Sequence, residues 1–155
     1  MRRSSQNDAL NPLLLLLLLG LAGHAPAGMR TDSPAGRWKT IDEDTGVAQS
    51  IVEIYPEGDA YSGKIAEILT GNTDARCVEC DGKQKNKPLI GLVIIKDLQA
   101  DAHDDSTWDG GTILDPRSGN TYKLSAWYED DNPDVLYIRG KHWTGLYRTQ
   151  QWVRE

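Results

Sequence analysis

The sequence predicts an all-β protein, a single antiparallel up-and-down β-barrel of about eight strands joined by short turns. Three observations carry that expectation. Runs rich in Val, Ile, Tyr and Trp recur along the chain and are cut at short intervals by Gly, Pro, Asp and Asn, the residues that turn strands back on themselves. Beyond Gly28 no segment keeps a helical period long enough to carry a crossover between parallel strands. The aromatic complement is lopsided, with no Phe against five Trp and six Tyr, which suits apolar walls that also present hydrogen-bond donors. Sequential antiparallel strands can stack as a sandwich or close on themselves. Closure removes the exposed edges, and about eight strands enclose room for packed side chains or one small ligand.

Each element has its own reason. Gly36–Ile41 is a strand, Asp42-Glu43-Asp44-Thr45-Gly46 a turn, and residues 47–55, dense in Val, Ile and Tyr, the returning strand. Pro56-Glu57-Gly58-Asp59 then turns the chain into residues 60–69, where Tyr61, Gly63 and Ile65 share one face and Ser62 and Lys64 the other. Residues 89–98 are too apolar to assign by period, but Val93-Ile94-Ile95 favours a strand. A polar loop over 99–107 leads to strand 108–114. Asp115-Pro116-Arg117-Ser118-Gly119-Asn120 turns into Thr121–Tyr128, residues 130–134 turn into strand 135–140, and residues 145–153 complete the set.

Residues 1–27 read as a cleaved signal peptide. Arg2 and Arg3 precede a leucine run from Leu13 to Leu19, and Ala25-Pro26-Ala27 forms a small-x-small cleavage site. The apolar run is about half the roughly 20 residues a membrane span requires, so no membrane span is expected. No cysteine near the cleavage site is available for lipid attachment. Residues 28–155 are then one domain, working in a bacterial periplasm or the medium. The net charge of −6 becomes −7 once Arg2, Arg3 and Asp8 leave with the leader. That balance repels nucleic acid and anionic lipid surfaces alike, and excludes nucleic acid as a partner.

The chain has two cysteines, Cys77 and Cys80, in the loop Asp74-Ala75-Arg76-Cys77-Val78-Glu79-Cys80-Asp81-Gly82. A thioredoxin-type centre needs such a pair at a helix start in an α/β unit, and a zinc site needs four ligands. In an oxidising compartment the default is a disulfide; a redox role stays open because Lys83, Lys85 and Lys87 stand nearby to lower a thiol pKa. No metal site or cofactor is expected. Asp130-x-Asn132-x-Asp134 begins like a calcium loop, but Val135 occupies the place of the turn glycine and Lys141 that of the bidentate glutamate. Asp101, His103, Asp104 and Asp105 form a polar loop with weak metal potential. Asp115 opens an Asp-Pro turn and would otherwise sit at a barrel mouth beside Trp108 and Tyr122.

Gly36-x-Trp38, Gly63-Lys64-Ile65, Cys77-x-x-Cys80-x-Gly82, residues 87–92, the block Trp108-x-Gly110-Gly111-x-Ile113-Leu114-Asp115-Pro116-x-x-Gly119-x-x-Tyr122, Arg139-Gly140 and Arg148-Thr149-Gln150-x-Trp152 together resemble DUF2147, a family of secreted bacterial domains without an assigned function. The resemblance covers the whole chain after the leader and departs from the family's usual pattern at Lys141-His142-Trp143. It implies a lipocalin-like (calycin) barrel, with the opening Gly-x-Trp and a late arginine as shared marks. Physically, the first and last strands of a closed barrel are neighbours, so Arg148 can stack on Trp38 as a structural plug, with Arg154 as the alternative partner.

Function divides three ways. The leading reading is a binding module for a small apolar ligand such as an acyl chain, with no catalytic residues. If Leu124, Ala126, Leu136 and Ile138 face inward, with Tyr61 and Ile65 opposite, they line the interior, and Trp108, Asp115 and Tyr122 complete the ligand site. The alternatives are an enzyme using Glu67, Asp115 and Tyr122 at the mouth, and a packed envelope scaffold whose loop around Cys77 and Cys80 meets a protein partner of unknown kind.

Overall fold

The computed structural model describes residues 33–129 and 132–155; the expected signal peptide over 1–27 and the start of the domain at residue 28 lie outside them. Eight strands close into a barrel in sequence order, each antiparallel to the next. They are β1 (Gly36–Ile41), β2 (Ala48–Glu57), β3 (Ala60–Ile68), β4 (Val93–Ala100), β5 (Thr107–Leu114), β6 (Thr121–Tyr128), β7 (Val135–Lys141) and β8 (Tyr147–Arg154). β8 returns to β1 through the pairs Trp38–Arg154, Lys39–Val153 and Thr40–Trp152. One 3-10 turn, Gly82–Gln84, lies in the long β3–β4 connection.

Alternation builds the wall. On β6 and β7, Leu124, Ala126, Tyr128, Leu136 and Ile138 are buried, and their register, Ala126 opposite Ile138 and Tyr128 opposite Leu136, brings them together on the inner face. Each buried Leu or Ile contributes about 1.5–3 kcal/mol of transfer free energy. The intervening residues form an outer ladder in which Trp127 stacks on Tyr137 at 5.5 Å. Arg139 lies 4.8 Å from the Trp127 ring and 4.6 Å from that of Tyr147. Elsewhere the outside is charged: Lys64 pairs with Glu53 at 3.2 Å, and Arg37 with Glu67 and Glu155. This wall is made for water.

Most strand boundaries fall within two residues of the expectation, and two of the differences have a clear structural reason. Residues 89–92 belong to the β3–β4 connection, and β4 begins only at Val93. Gly91, with φ of +86°, turns the backbone there, so an apolar run continues across a bend that its hydrophobicity conceals. Pro56, expected in a turn, is part of β2 opposite Tyr61. β1 begins at Gly36 opposite Ile54, so Pro56 lies on an overhang with no neighbouring ladder on that side.

Candidate functional site

The two ends of the barrel differ. At one end the chain enters through Ser33 and Pro34. Trp38, fully buried, donates from its indole Nε1 to the Pro34 carbonyl at 2.9 Å. Tyr128 donates its hydroxyl to the Ser33 carbonyl at 2.7 Å and packs edge-on against Trp108 at 5.3 Å. The cation over Trp38 is Arg154, 4.2 Å from the ring, and Arg148 is not the partner. Arg154 also donates to the Pro133 carbonyl at 2.8 Å and to the Tyr128 hydroxyl at 3.2 Å. Trp38 and Arg154 face each other in the register that closes the barrel, whereas Arg148 sits at the far end of β8. This end is a plugged floor.

At the opposite end four connections meet: the β1–β2 turn, the β3–β4 connection, the β5–β6 turn and the β7–β8 turn. The β3–β4 connection carries the Cys77–Cys80 disulfide, with both residues buried. It is seated on the β5–β6 turn, with Cys77 Sγ 3.5 Å from the Pro116 carbonyl oxygen. The backbone of Gly119 is equally close to that loop, since a Cβ there would lie 2.0 Å from the Glu79 carbonyl oxygen. The disulfide therefore shapes a loop at the mouth.

Inside this open end is a cavity of about 720 Å³, within the range of small-molecule sites. Its walls are Val52, Ile65, Ile94, Ile113, Ile138 and Trp152, and Leu89 reaches it from the β3–β4 connection. Ser50, Gln150, Tyr122, Asp115, His142 and Arg148 supply polar atoms towards the rim. The Tyr122 and His142 rings meet at 6.0 Å. Arg148 is held at the mouth by a 2.7 Å ion pair with Glu43, which keeps its guanidinium firmly protonated. Asp42, also on the rim, is kept ionised below the ordinary aspartate range because the Thr45 hydroxyl and amide both donate to it.

Of the residues expected at a ligand site, Ile65, Asp115, Tyr122 and Ile138 line this cavity. Leu124, Ala126, Leu136 and Trp108 are buried in the same core but are not among the residues that line this cavity. Tyr61 packs against the same core, its hydroxyl 3.4 Å from Ser33 Oγ. The carboxylates proposed for an enzyme are not brought together. Glu67 is on the outer wall with Arg37, and Asp115 accepts from the Arg117 amide and the Ser118 hydroxyl, the pattern of a turn. The loop carboxylates of Asp101 and Asp104 likewise accept from backbone amides of their own turns. Among the described residues no cluster of His, Cys, Asp and Glu is arranged to hold a metal.

Val52, Ile94, Ile113 and Trp152 were missed as wall residues. Their signal was present: each stands at a buried or half-buried position on an alternating strand. What decides between floor and cavity is height along the barrel, and alternation does not encode height.

The sequence profile of DUF2147, described as an uncharacterized protein conserved in bacteria, matches residues 36–154, which is all eight strands. No curated protein matches the chain. Among solved structures, the chain is similar to protein HP1028 from the human pathogen Helicobacter pylori, described as belonging to the lipocalin family. The TM-score is 0.68 at 18% identity, over 81% of this chain and 84% of that one. That similarity establishes a lipocalin-like fold.

Proposed function

The chain belongs to the DUF2147 family, and from that premise we propose that it is a barrel that binds a small, largely apolar molecule, such as one bearing an acyl chain, in its open half. The observation that carries this is the cavity of about 720 Å³ between the aliphatic walls of Val52, Ile65, Ile94, Ile113 and Ile138. A concave apolar space with a few polar groups at its entrance is the usual form of such a site, and a ligand there would set its polar end among Tyr122, His142, Gln150 and Arg148. The proposal places the barrel outside the cytoplasm as residues 28–155 of a chain that loses residues 1–27. The buried Cys77–Cys80 disulfide supports an oxidising compartment.

Native mass spectrometry of the purified protein, followed by titration with an apolar fluorescent probe, tests the reading. A co-purifying small molecule, or saturable uptake of the probe, is the expected result. Gly140 lines the cavity with ordinary backbone angles, and a Cβ there meets Tyr122 at 3.4 Å, normal contact distance. Gly140→Leu should therefore fill the space, weakening probe binding by about tenfold or more while the protein stays folded. No uptake by the native protein, or equal uptake by the variant, would rule this site out.

A further inference from the structure

Charge and hydrogen-bonding capacity are separated by depth in the cavity. The charged side chains that line it, Asp42, Asp115, Arg117 and Arg148, stand on the turns of the rim or at the start of β8. Further in, Thr40, Ser50 and Gln150 are uncharged, and beyond them the wall is aliphatic. The Thr40 and Ser50 hydroxyls, opposite each other in the β1–β2 register, hydrogen-bond at 2.8 Å. Gln150, one inward position beyond Arg148 on β8, is oriented by Trp152. An indole N–H can only donate, and it reaches the Gln150 oxygen at 3.4 Å. The oxygen of that amide is therefore turned to Trp152, which leaves its two N–H groups to the cavity.

The charges at the rim are already engaged with one another. Arg148 gives its Nε at 2.9 Å and its Nη2 at 2.7 Å to the Glu43 carboxylate, with Asp44 and Asp115 adding to the negative field around it. Arg117 stands 3.5 Å from Asp115, which also accepts from the Arg117 amide and the Ser118 hydroxyl. Asp42 accepts from the Thr45 hydroxyl and amide. A carboxylate or phosphate head entering here would have to displace Glu43 from Arg148 within a field of its own sign, and an ion taken from water without a partner of its own is costly. An ammonium head would meet acids that are already hydrogen-bonded and, beneath them, amide N–H groups that cannot accept from it. An uncharged oxygen meets neither obstacle, since it accepts from Gln150 with little to lose in leaving water.

We propose that the cavity selects an uncharged head: an apolar chain ending in an ester, amide or hydroxyl oxygen, as in an acylglycerol, rather than a free fatty acid or an alkylammonium. The head oxygen accepts from the Gln150 amide, and the chain lies between Val52, Ile65, Ile94, Ile113 and Ile138. Glu43 sets the choice by occupying Arg148. The inference rests on the binding proposed above and adds its selectivity.

The test is displacement of the apolar fluorescent probe from the purified protein at neutral pH by three amphiphiles of one chain length: 1-monolauroylglycerol, laurate and dodecyltrimethylammonium, each kept below its micelle concentration. The glyceride should displace the probe at a concentration about tenfold lower than either ion requires. Glu43→Gln, a change at an exposed pair that should leave the fold intact, releases Arg148 and should tighten laurate by about threefold or more, narrowing the gap. Gln150→Leu should weaken the glyceride by about fivefold, the loss of one hydrogen bond. If neither the probe nor any of the three amphiphiles binds, the binding proposal falls and this inference with it. If the probe binds and laurate or the ammonium displaces it as readily as the glyceride does, the head assignment alone is overturned. It is overturned equally if Glu43→Gln leaves laurate binding where it was, or if Gln150→Leu holds the glyceride as tightly as the native protein.

Discussion

Arg148 and Arg154 share a parity on β8, so alternation alone makes either a candidate to cover Trp38. Only the register decides, and it sets Arg154 opposite Trp38 while Arg148 reaches the mouth and Glu43. The two arginines should then differ in consequence. Arg154→Ala removes charge-assisted hydrogen bonds to Pro133 and Tyr128 together with the stacking on Trp38, and should cost about 2–3 kcal/mol in urea denaturation. Arg148→Ala breaks an exposed pair and should cost less than about 1 kcal/mol. Asp42 offers a test by pH. Its folded pKa is lowered by Thr45, so its contribution to stability is present above the unfolded aspartate value of about 3.9 and is lost as the pH falls through the lower folded value. The Thr45 amide resonance should titrate with a midpoint below that of a free aspartate, and Asp42→Ala should abolish the transition.

At the scale of elements, the strands were legible because both of their signals are local. Turn chemistry cut the chain at Asp42–Gly46 and at Asp115–Asn120, and β-branched alternation filled the intervals, so β1 and β6 begin and end where the residues say. The β3–β4 connection was not legible in the same way, because its Leu89 to Leu92 look like strand yet serve as mouth wall and bend. What holds that connection is contact with another turn, which no local pattern records. Gly119 is the point of contact: its φ of +73° and the Glu79 carbonyl oxygen, 2.0 Å from where a Cβ would stand, leave no room for a side chain. Gly119→Ala should destabilise the barrel by about 2 kcal/mol or more, combining left-handed strain with a backbone clash. Amide exchange should accelerate around Cys80 before it does in β6. The disulfide closes too small a ring to substitute for this contact, contributing roughly 2 kcal/mol at most on loop-entropy grounds, so Cys77→Ser/Cys80→Ser should still yield a folded barrel.

Over the whole molecule, the interior is one column of side chains packed in its lower half and open in its upper half. Inward parity was readable from Leu124, Ala126, Leu136 and Ile138; which of them border empty space was not, because that depends on the large residues that happen to share their layer. Ala126 sits opposite Trp108 in the register, with both residues fully buried, and with Tyr128 and Trp38 close by in the same core, so its small size accommodates an indole rather than a ligand. Gly140, one inward position beyond Ile138 on β7, faces the cavity. A matched pair of substitutions separates the halves. Ala126→Trp forces a second indole into a filled layer and should destabilise the fold by about 2–3 kcal/mol, since overpacking displaces neighbours that have nowhere to go. Gly140→Leu adds apolar volume where space exists, so its stability should stay within about 1 kcal/mol of the native protein as it loses the probe. Thermal unfolding and probe titration on the two variants give the result. If Ala126→Trp is tolerated, or Gly140→Leu unfolds the barrel, the division between floor and cavity is drawn in the wrong place.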